Sequence, residues 1–244
     1  MTRHGLAGLA LLSLALGQAV PAAAGDMASL DVLGYSRDGQ VFAFEEYGIF
    51  DGSGGAYSSI YFIDIKTDTF LPGTPIRARE HEEGRLAAIR ADTRSKAGPL
   101  IARHGLADNP GVLVAYNPPS EIGGDPHKLR YYPYLSAQIS GYTYKLELEE
   151  RELPPAGDCA KFTDSHAGFT LRLTENQGQP FDKVLHADST IPKSRNCPNQ
   201  YRIGAVVASE IRDVPHMAMI LVGSFGFEGN DQRWIAVPVL PYGP

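Results

Sequence analysis

The sequence contains only two cysteines and a single tryptophan among its 244 residues, and it has no cluster of basic side chains. Lysine and arginine together number 22 against 28 acidic residues, which gives a formal net charge of −6. This acidic balance, without a stripe of lysine and arginine, argues against nucleic acid or anionic lipid as a partner. After the N-terminal segment, no apolar run approaches the roughly 20 residues that a membrane-spanning helix needs. We therefore expect a soluble mature protein without a membrane span.

The N-terminus has the pattern of a cleavable secretion signal. A short basic start at residues 1–4 precedes an apolar stretch at residues 5–16, and three alanines end the segment. This order of basic, apolar and small residues is typical of a secretory signal. The alternative, an N-terminal membrane anchor, is disfavoured because the apolar stretch is short and is followed by Gly17 and Pro21. The sequence therefore predicts a signal peptide over residues 1–24 and release into the periplasm or the medium.

The two cysteines, Cys159 and Cys197, both lie in the mature part of the sequence. Because an exported protein reaches an oxidising compartment, we predict a disulfide between them. In the chain-entropy model, closing this loop would stabilise the folded protein by on the order of 4 kcal/mol. A redox pair or a metal site is the alternative, but the C-x-x-C spacing and a neighbouring pair of histidines are both missing. The histidines are scattered, so we predict no metal and no other cofactor.

Short β-prone runs bounded by turn residues dominate the mature sequence. In residues 142–148, large apolar residues alternate with polar ones, as in a half-buried strand. Most connections are too short for a crossover helix, which favours antiparallel pairing. The exception is residues 79–97, where apolar residues recur at three- and four-residue spacing before Gly98 and Pro99. The predicted fold class is mainly β, with antiparallel blade-like or sandwich-like sheets and one inserted amphipathic helix at about residues 79–97.

Two distant stretches share a pattern of turn, strand, glycine-rich loop and second strand. In an ungapped comparison Arg37 aligns with Arg212, and further identities follow in the strand and in the loop. The pattern predicts two related hairpin units, at residues 34–65 and 209–240. No linker-like stretch divides the chain, so we expect residues 25–244 to form a single domain.

The first of these units carries a turn of the form Ser-x-Asp-Gly. Residues 34–39 have the sequence Gly-Tyr-Ser-Arg-Asp-Gly and are followed by β-prone runs at residues 41–44 and 60–65. The Asp-Gly pair suits a tight hairpin because glycine accepts positive φ. The unit resembles one blade motif of the β-propeller repeat of the Tol system. That resemblance implies a blade-like sheet here, although one motif does not predict a complete propeller.

A second resemblance covers nearly the whole mature chain. It depends on short motifs in combination: Glu-Glu-Tyr-Gly at residues 45–48, Asp-Gly-Ser-Gly at 51–54, Pro-Gly-Thr-Pro-Ile at 72–76, Asp-Pro-His-Lys-Leu at 125–129 and the C-terminal residues 226–238. With this combination the sequence resembles an uncharacterised bacterial family of predicted secreted proteins. The resemblance implies export, and it brings no assigned activity and no catalytic residues.

No recognisable catalytic arrangement emerges from the sequence. The Gly-x-Ser-x-Gly motif of a nucleophile elbow is missing. Glu45 and Glu46 are adjacent, so on a strand they point to opposite faces and cannot act as a carboxylate pair. We expect one of them to be exposed and the other to be held by a hydrogen bond or an arginine.

We therefore predict a non-catalytic binding or envelope-associated module. The alternative is a periplasmic hydrolase that acts on a cell-wall or glycan substrate. A pocket with convergent acids, or His127 beside a carboxylate and a hydroxyl, would favour that hydrolase.

The candidate binding site lies in two glycine-rich loops, at residues 48–57 and 223–232. If the hairpins are related, these loops lie on one side of the molecule, where aromatic and arginine side chains can carry binding energy. This composition suits a peptide, a glycan or an envelope protein as the partner. The alternative is that the aromatic side chains are core residues. The predicted binding residues are Tyr47, Phe50, Asp51, Tyr57, Phe227, Glu228, Arg233 and Trp234.

Overall fold

A computed structural model describes residues 25–83, 85–135, 142–155, 157–161, 163–226 and 229–239 of the chain. The predicted signal peptide, residues 1–24, lies outside the described residues, as do the predicted binding residues Phe227 and Glu228. The described residues form antiparallel sheets and one long helix. This confirms the predicted mainly β fold class.

The strands form three sheets, which we call the N-terminal, central and outer sheets. The strands are β1 (Ser29–Tyr35), β2 (Val41–Ile49), β3 (Gly55–Asp64), β4 (Thr69–Phe70), β5 (Ile76–Glu83), β6 (Val112–Tyr116), β7 (Lys128–Tyr131), β8 (Tyr144–Leu153), β9 (His166–Asn176), β10 (Gln179–Ala187), β11 (Pro198–Ala208), β12 (His216–Phe225) and β13 (Asn230–Val239). In the N-terminal sheet the order is β1-β2-β3-β4, and β5 also pairs with β3. The central sheet has the order β13-β12-β11-β6 and the outer sheet β10-β9-β8-β7.

The central sheet lies between the other two sheets. Along β12, Met217 and Met219 pack against the N-terminal sheet, whereas Ala218 and Ile220 pack against the outer sheet. Because both faces of the strand are buried, its sequence is an almost continuous apolar run rather than an alternating one. The layers follow in the order helix, N-terminal sheet, central sheet and outer sheet.

The helix, α1 (Leu86–His104), begins later and ends later than the sequence predicted. Residues 79–83 belong to β5, which pairs with β3 from Gly55 to Ile60. Gly98 and Pro99 do not end the helix: Pro99 lies on its exposed side, so its missing N–H leaves a carbonyl that water can reach. Gly105 ends it in the left-handed conformation, with φ of 63°.

The predicted disulfide between Cys159 and Cys197 is present. It joins the short 3-10 segment Gly157–Lys161 to the residue that precedes β11. Disulfides persist in oxidising compartments, so the bond fits a periplasmic or extracellular location. Within the described part of the chain, the one long helix is too polar to cross a bilayer.

The two predicted hairpins are formed by β2 with β3 and by β12 with β13. The segment that leads into β1 lies beside both hairpins: Ser29 pairs with Tyr47 of β2, Met27 bridges Gln232 of β13, and the Ala28 amide donates to the Gln232 carbonyl at 3.0 Å. The Ser36 hydroxyl closes the turn before β2 by accepting the amide of Val41 at 2.9 Å. The N-terminal segment thus connects the two hairpins.

Candidate functional site

A cleft opens between the N-terminal sheet and the central sheet. It consists of two adjoining cavities of about 380 and 360 Å³. Strands β3, β4 and β5 form one wall, and β13 with the 3-10 segment Lys193–Arg195 forms the other. The two cavities share the residues Tyr61, Phe70, Ser194, Arg195, Trp234 and Ile235. The smaller cavity has a mainly apolar lining, whereas the larger cavity is also lined by charged side chains, including four arginines. Concave sites of this size are typical of ligand binding.

Two of the predicted binding residues, Tyr57 and Trp234, line the cleft but are anchored in the core. Tyr57 is 5% exposed, and its hydroxyl donates to Asp26 at 2.8 Å. Trp234 is 1% exposed, and its indole N–H donates to the carbonyl of Ala28 at 2.8 Å. Both side chains therefore fix the shape of the cleft, and little of their surface is available to a ligand.

Arg233 and Phe50 lie beside Tyr57 at the same end of the cleft. The guanidinium of Arg233 is 4.6 Å from the centre of the Tyr57 ring and makes an ion pair with Asp26 at 2.7 Å. The Phe50 ring is 4.6 Å from the Tyr57 ring. Burial raises the pKa of Asp26, and the neighbouring Arg233 opposes that rise. The structure thus brings Phe50, Tyr57, Arg233 and Trp234 together.

The other described members of the predicted set lie elsewhere. Tyr47 lies on the helix side of the N-terminal sheet, where the guanidinium of Arg90 stacks 3.5 Å from the centre of its ring. Asp51 is exposed in the turn between β2 and β3 and does not line the cleft. The eight predicted residues therefore divide between a cleft, a helix interface and a surface turn, apart from the two outside the described residues.

Glu45 is buried, with 0% exposure, on the helix side of β2. Arg90 donates to both of its carboxylate oxygens, at 2.9 and 3.0 Å, and Arg94 donates at 2.8 Å. Burial raises the pKa of Glu45, but the hydrogen bonds from Arg90, Arg94 and Ser58 outweigh it, so the pKa lies below the ordinary value. This carboxylate joins α1 to the N-terminal sheet.

Glu46 is also buried, with 3% exposure, which corrects the expectation that one of the adjacent glutamates is exposed. It points to the opposite face, as predicted, and lines the cleft. The Tyr61 hydroxyl donates to one carboxylate oxygen at 2.5 Å, and the Trp234 backbone amide donates to the other at 2.9 Å. Burial raises the pKa of Glu46. Both glutamates can be buried because each has its own set of donors.

The most exposed cationic residues of the cleft are Arg77 and Arg79, which were not predicted. They lie on β5 opposite Ser59 and Tyr57 of β3, and both are exposed. The signal in the sequence is their spacing of two, which puts both on one face of a strand. That signal was hidden because part of β5 was assigned to the helix.

The opposite wall of the cleft is held by a buried ion pair. Arg195 is 9% exposed and contacts Asp188 at 2.6 Å. His186 contacts the other oxygen of Asp188 at 2.9 Å and lies 3.8 Å from Asp68. Burial lowers the pKa of His186, but the hydrogen bonds to Asp188 and Asp68 outweigh it and raise the pKa above its ordinary value. These contacts connect β10 to the turn before β4.

Two further groups of residues contain a histidine but not the partners that a catalytic or metal site needs. His127 lies 3.3 Å from Glu150, and the further partner of that carboxylate is the Tyr201 backbone amide rather than a hydroxyl. His166 lies close to both sulfurs of the disulfide, but sulfurs that are bonded to each other are not thiolate ligands. Neither group forms part of the cleft.

Residues 43–240 match the model of a family described as a predicted secreted protein, DUF2259. No curated protein matches the chain. No solved structure matches it either.

Proposed function

The chain belongs to this family of predicted secreted proteins, and we propose that it is a non-catalytic binding module whose ligand occupies the cleft between the N-terminal and central sheets. The family description and the disulfide agree on a periplasmic or extracellular location. The ligand would then be a component of the envelope or of the surrounding medium.

The observation that carries this proposal is the fixed polar lining of the cleft. Arg233 is held by Asp26 and by the Tyr57 ring, and Arg195 is held by Asp188. Side chains that are already held in place lose little conformational entropy when a ligand binds. A packed core without a binding role has no need of a concave, arginine-lined surface of this size.

A hydrolase is the second candidate, because Glu46 and Asp231 line the same cleft and a carboxyl group with a raised pKa can act as a general acid. Binding is favoured because both oxygens of Glu46 already accept hydrogen bonds from Tyr61 and Trp234. Release of reducing ends from envelope glycans, lost in Glu46→Gln, would reverse this preference.

The test is to probe an array of envelope glycans and peptides with the mature protein and with the variant Ser194→Trp. Ser194 is exposed and lines both cavities, so a large side chain there obstructs the cleft from its rim. The control is Ser120→Trp, at an exposed position outside both cavities. We expect Ser194→Trp to lose array binding and Ser120→Trp to keep it. Equal binding by the two variants would refute the cleft as the site.

Three sequence predictions remain proposals. We infer that residues 1–24 are removed on export, so the mass of the exported protein should correspond to a chain that begins at Gly25. The resemblance of residues 34–39 to a Tol-type blade motif and the relation between the two hairpins also remain predictions. Support for both is limited to the turn before β2 and to the hairpins themselves.

A further inference from the structure

We propose that the ligand of the cleft is a saccharide that bears carboxylate groups, and that Arg77 and Arg79 contact those carboxylates. This inference rests on the proposed binding function and names the chemical class of its ligand. The inference is carried by two arginines of the cleft that have no ion pair, by their position on β5 and by the aromatic sheet face beside them.

The larger cavity contains arginines with and without a carboxylate partner. Four arginines line it, and two of them, Arg195 and Arg233, have carboxylate partners. Within the part of the chain that the structure describes, Arg77 and Arg79 have no ion pair. Two exposed arginines without an ion pair thus lie on one wall of the cleft in a protein whose net charge is −6.

The acidic groups that line the same cavity are held by other partners. Glu46 accepts hydrogen bonds on both oxygens from Tyr61 and Trp234. Asp231 accepts the backbone amide of Asp26 at 3.3 Å. The exposed guanidinium groups of Arg77 and Arg79 are therefore open to a carboxylate of a ligand.

The position of Arg77 and Arg79 suits a carboxylate held near an aromatic surface. They are two residues apart on one face of β5, which separates their Cα atoms by roughly 6–7 Å. The guanidinium of Arg77 lies 5.8 Å from the centre of the Tyr61 ring. A guanidinium presents a planar fork of donors that binds a carboxylate through two parallel hydrogen bonds.

The aromatic sheet face beside the two arginines favours a saccharide over a peptide. An extended peptide gains most of its affinity by hydrogen bonding to a free strand edge. Within the described residues β5 has one unpaired edge of this kind, whereas β3 is paired with β2 on one side and with β4 and β5 on the other and offers the face of a sheet. That face carries Tyr61 and Phe70, with Phe70 42% exposed, and aromatic rings of this kind can stack against the apolar face of a sugar.

The test compares three probes by calorimetry: oligogalacturonate, its methyl ester and oligoglutamate. The ester keeps the saccharide backbone and removes the charge, whereas oligoglutamate keeps the charge on a peptide. We expect oligogalacturonate to bind tightest and its ester to bind at least about tenfold more weakly, which corresponds to about 1.4 kcal/mol. Binding of the acid should also weaken as salt is raised.

The matched variants are the double substitutions Arg77→Ala/Arg79→Ala and Arg103→Ala/Arg212→Ala. All four arginines are exposed, and the second pair removes the same charge outside the cleft. We expect the first variant to lose at least about tenfold in affinity for oligogalacturonate and the second to keep it. Circular dichroism checks that both variants are folded.

Several outcomes would overturn the inference. Equal affinity for the acid and the ester, or unchanged affinity in Arg77→Ala/Arg79→Ala, would exclude the carboxylate contact. Tighter binding of oligoglutamate would indicate an acidic peptide instead, and no binding of oligogalacturonate would exclude the saccharide. If Ser194→Trp nevertheless abolishes binding of another array compound, the cleft keeps its proposed function and only the ligand class is wrong.

Discussion

Single side chains in this protein act mainly by satisfying buried polar groups. Glu45 and Glu46 are neighbours in sequence, yet one holds a helix and the other supports a ligand cleft. The difference arises because successive residues of a strand face opposite sides. Hydrogen-bond donors from distant parts of the chain then offset the cost of burying each carboxylate.

The Glu45 carboxylate should make stability depend on pH. Because its pKa in the folded protein is lowered, its contribution is present above the unfolded value of about 4.3 and is lost as pH falls through the folded pKa. We expect Glu45→Gln to reduce the free energy of unfolding by about 2–3 kcal/mol at pH 7 and by less at acidic pH. Urea unfolding at a series of pH values measures this. A loss that stays constant down to pH 3 would contradict the charge-based explanation.

Trp234 should contribute to stability through the hydrogen bond of its indole N–H as well as through the burial of its ring. In Trp234→Phe the carbonyl of Ala28 loses its donor, which is 2.8 Å away in the structure. We expect a loss of about 1–3 kcal/mol, measured by circular dichroism during urea unfolding because this is the sole tryptophan. A stability equal to that of the wild type would show that this hydrogen bond makes no net contribution to the free energy of unfolding. Substitution of Trp234 therefore tests stability rather than ligand contact.

Secondary-structure elements show where sequence patterns are sufficient and where they are not. The alternation in residues 142–148 predicted a strand, and β8 contains residues 144–148 of that stretch. At residues 79–83 the same charged residues fit a helix or an edge strand, and pairing with β3 decides between the two. Because a strand partner is a long-range contact, local spacing could not reveal it. The position of Arg77 and Arg79 in the cleft was missed for that reason.

A glycine within α1 and the glycine that ends it should respond in opposite ways to substitution by alanine. At Gly98 an added Cβ meets no atom within 4 Å, so Gly98→Ala should stabilise the protein by about 0.5–1 kcal/mol. At Gly105, φ is 63° and the new Cβ would lie 2.6 Å from the Nε atom of Arg37, so Gly105→Ala should destabilise it by about 1 kcal/mol or more. Thermal unfolding of both variants measures the effects. Destabilisation by Gly98→Ala would contradict a continuous helix through Pro99.

At the scale of the whole molecule, the central sheet links the two outer layers. Its residues belong to one core with the N-terminal sheet and to another with the outer sheet. The sequence predicted the class of the fold and the disulfide, because both depend on local patterns or on compartment chemistry. It could not predict the cleft, since that space depends on how two sheets that are distant in sequence meet. Of the aromatic residues predicted at the hairpin ends, Phe50, Tyr57 and Trp234 lie in the wall of the cleft.

Reduction of the disulfide should lower the free energy of unfolding, but the protein should still unfold as one unit. For a separation of 38 residues, the chain-entropy description gives a loss of about 4 kcal/mol on reduction. Because the sheets share cores, we expect circular dichroism and tryptophan fluorescence to report one coincident transition in both redox states. This follows from the proposal that residues 25–244 form a single domain. Separate transitions for the two probes would contradict that proposal.

The most direct test of the binding cleft is amide hydrogen exchange of the mature protein, with and without the strongest array binder. We predict added protection at β3, β5 and residues 194–196, and little change at β6 and β7 on the far edges of the central and outer sheets. Exchange reports local opening residue by residue, so it maps the bound surface without any mutation. Protection confined to β6 and β7, with none at β3 or β5, would show that this protein binds its ligand elsewhere.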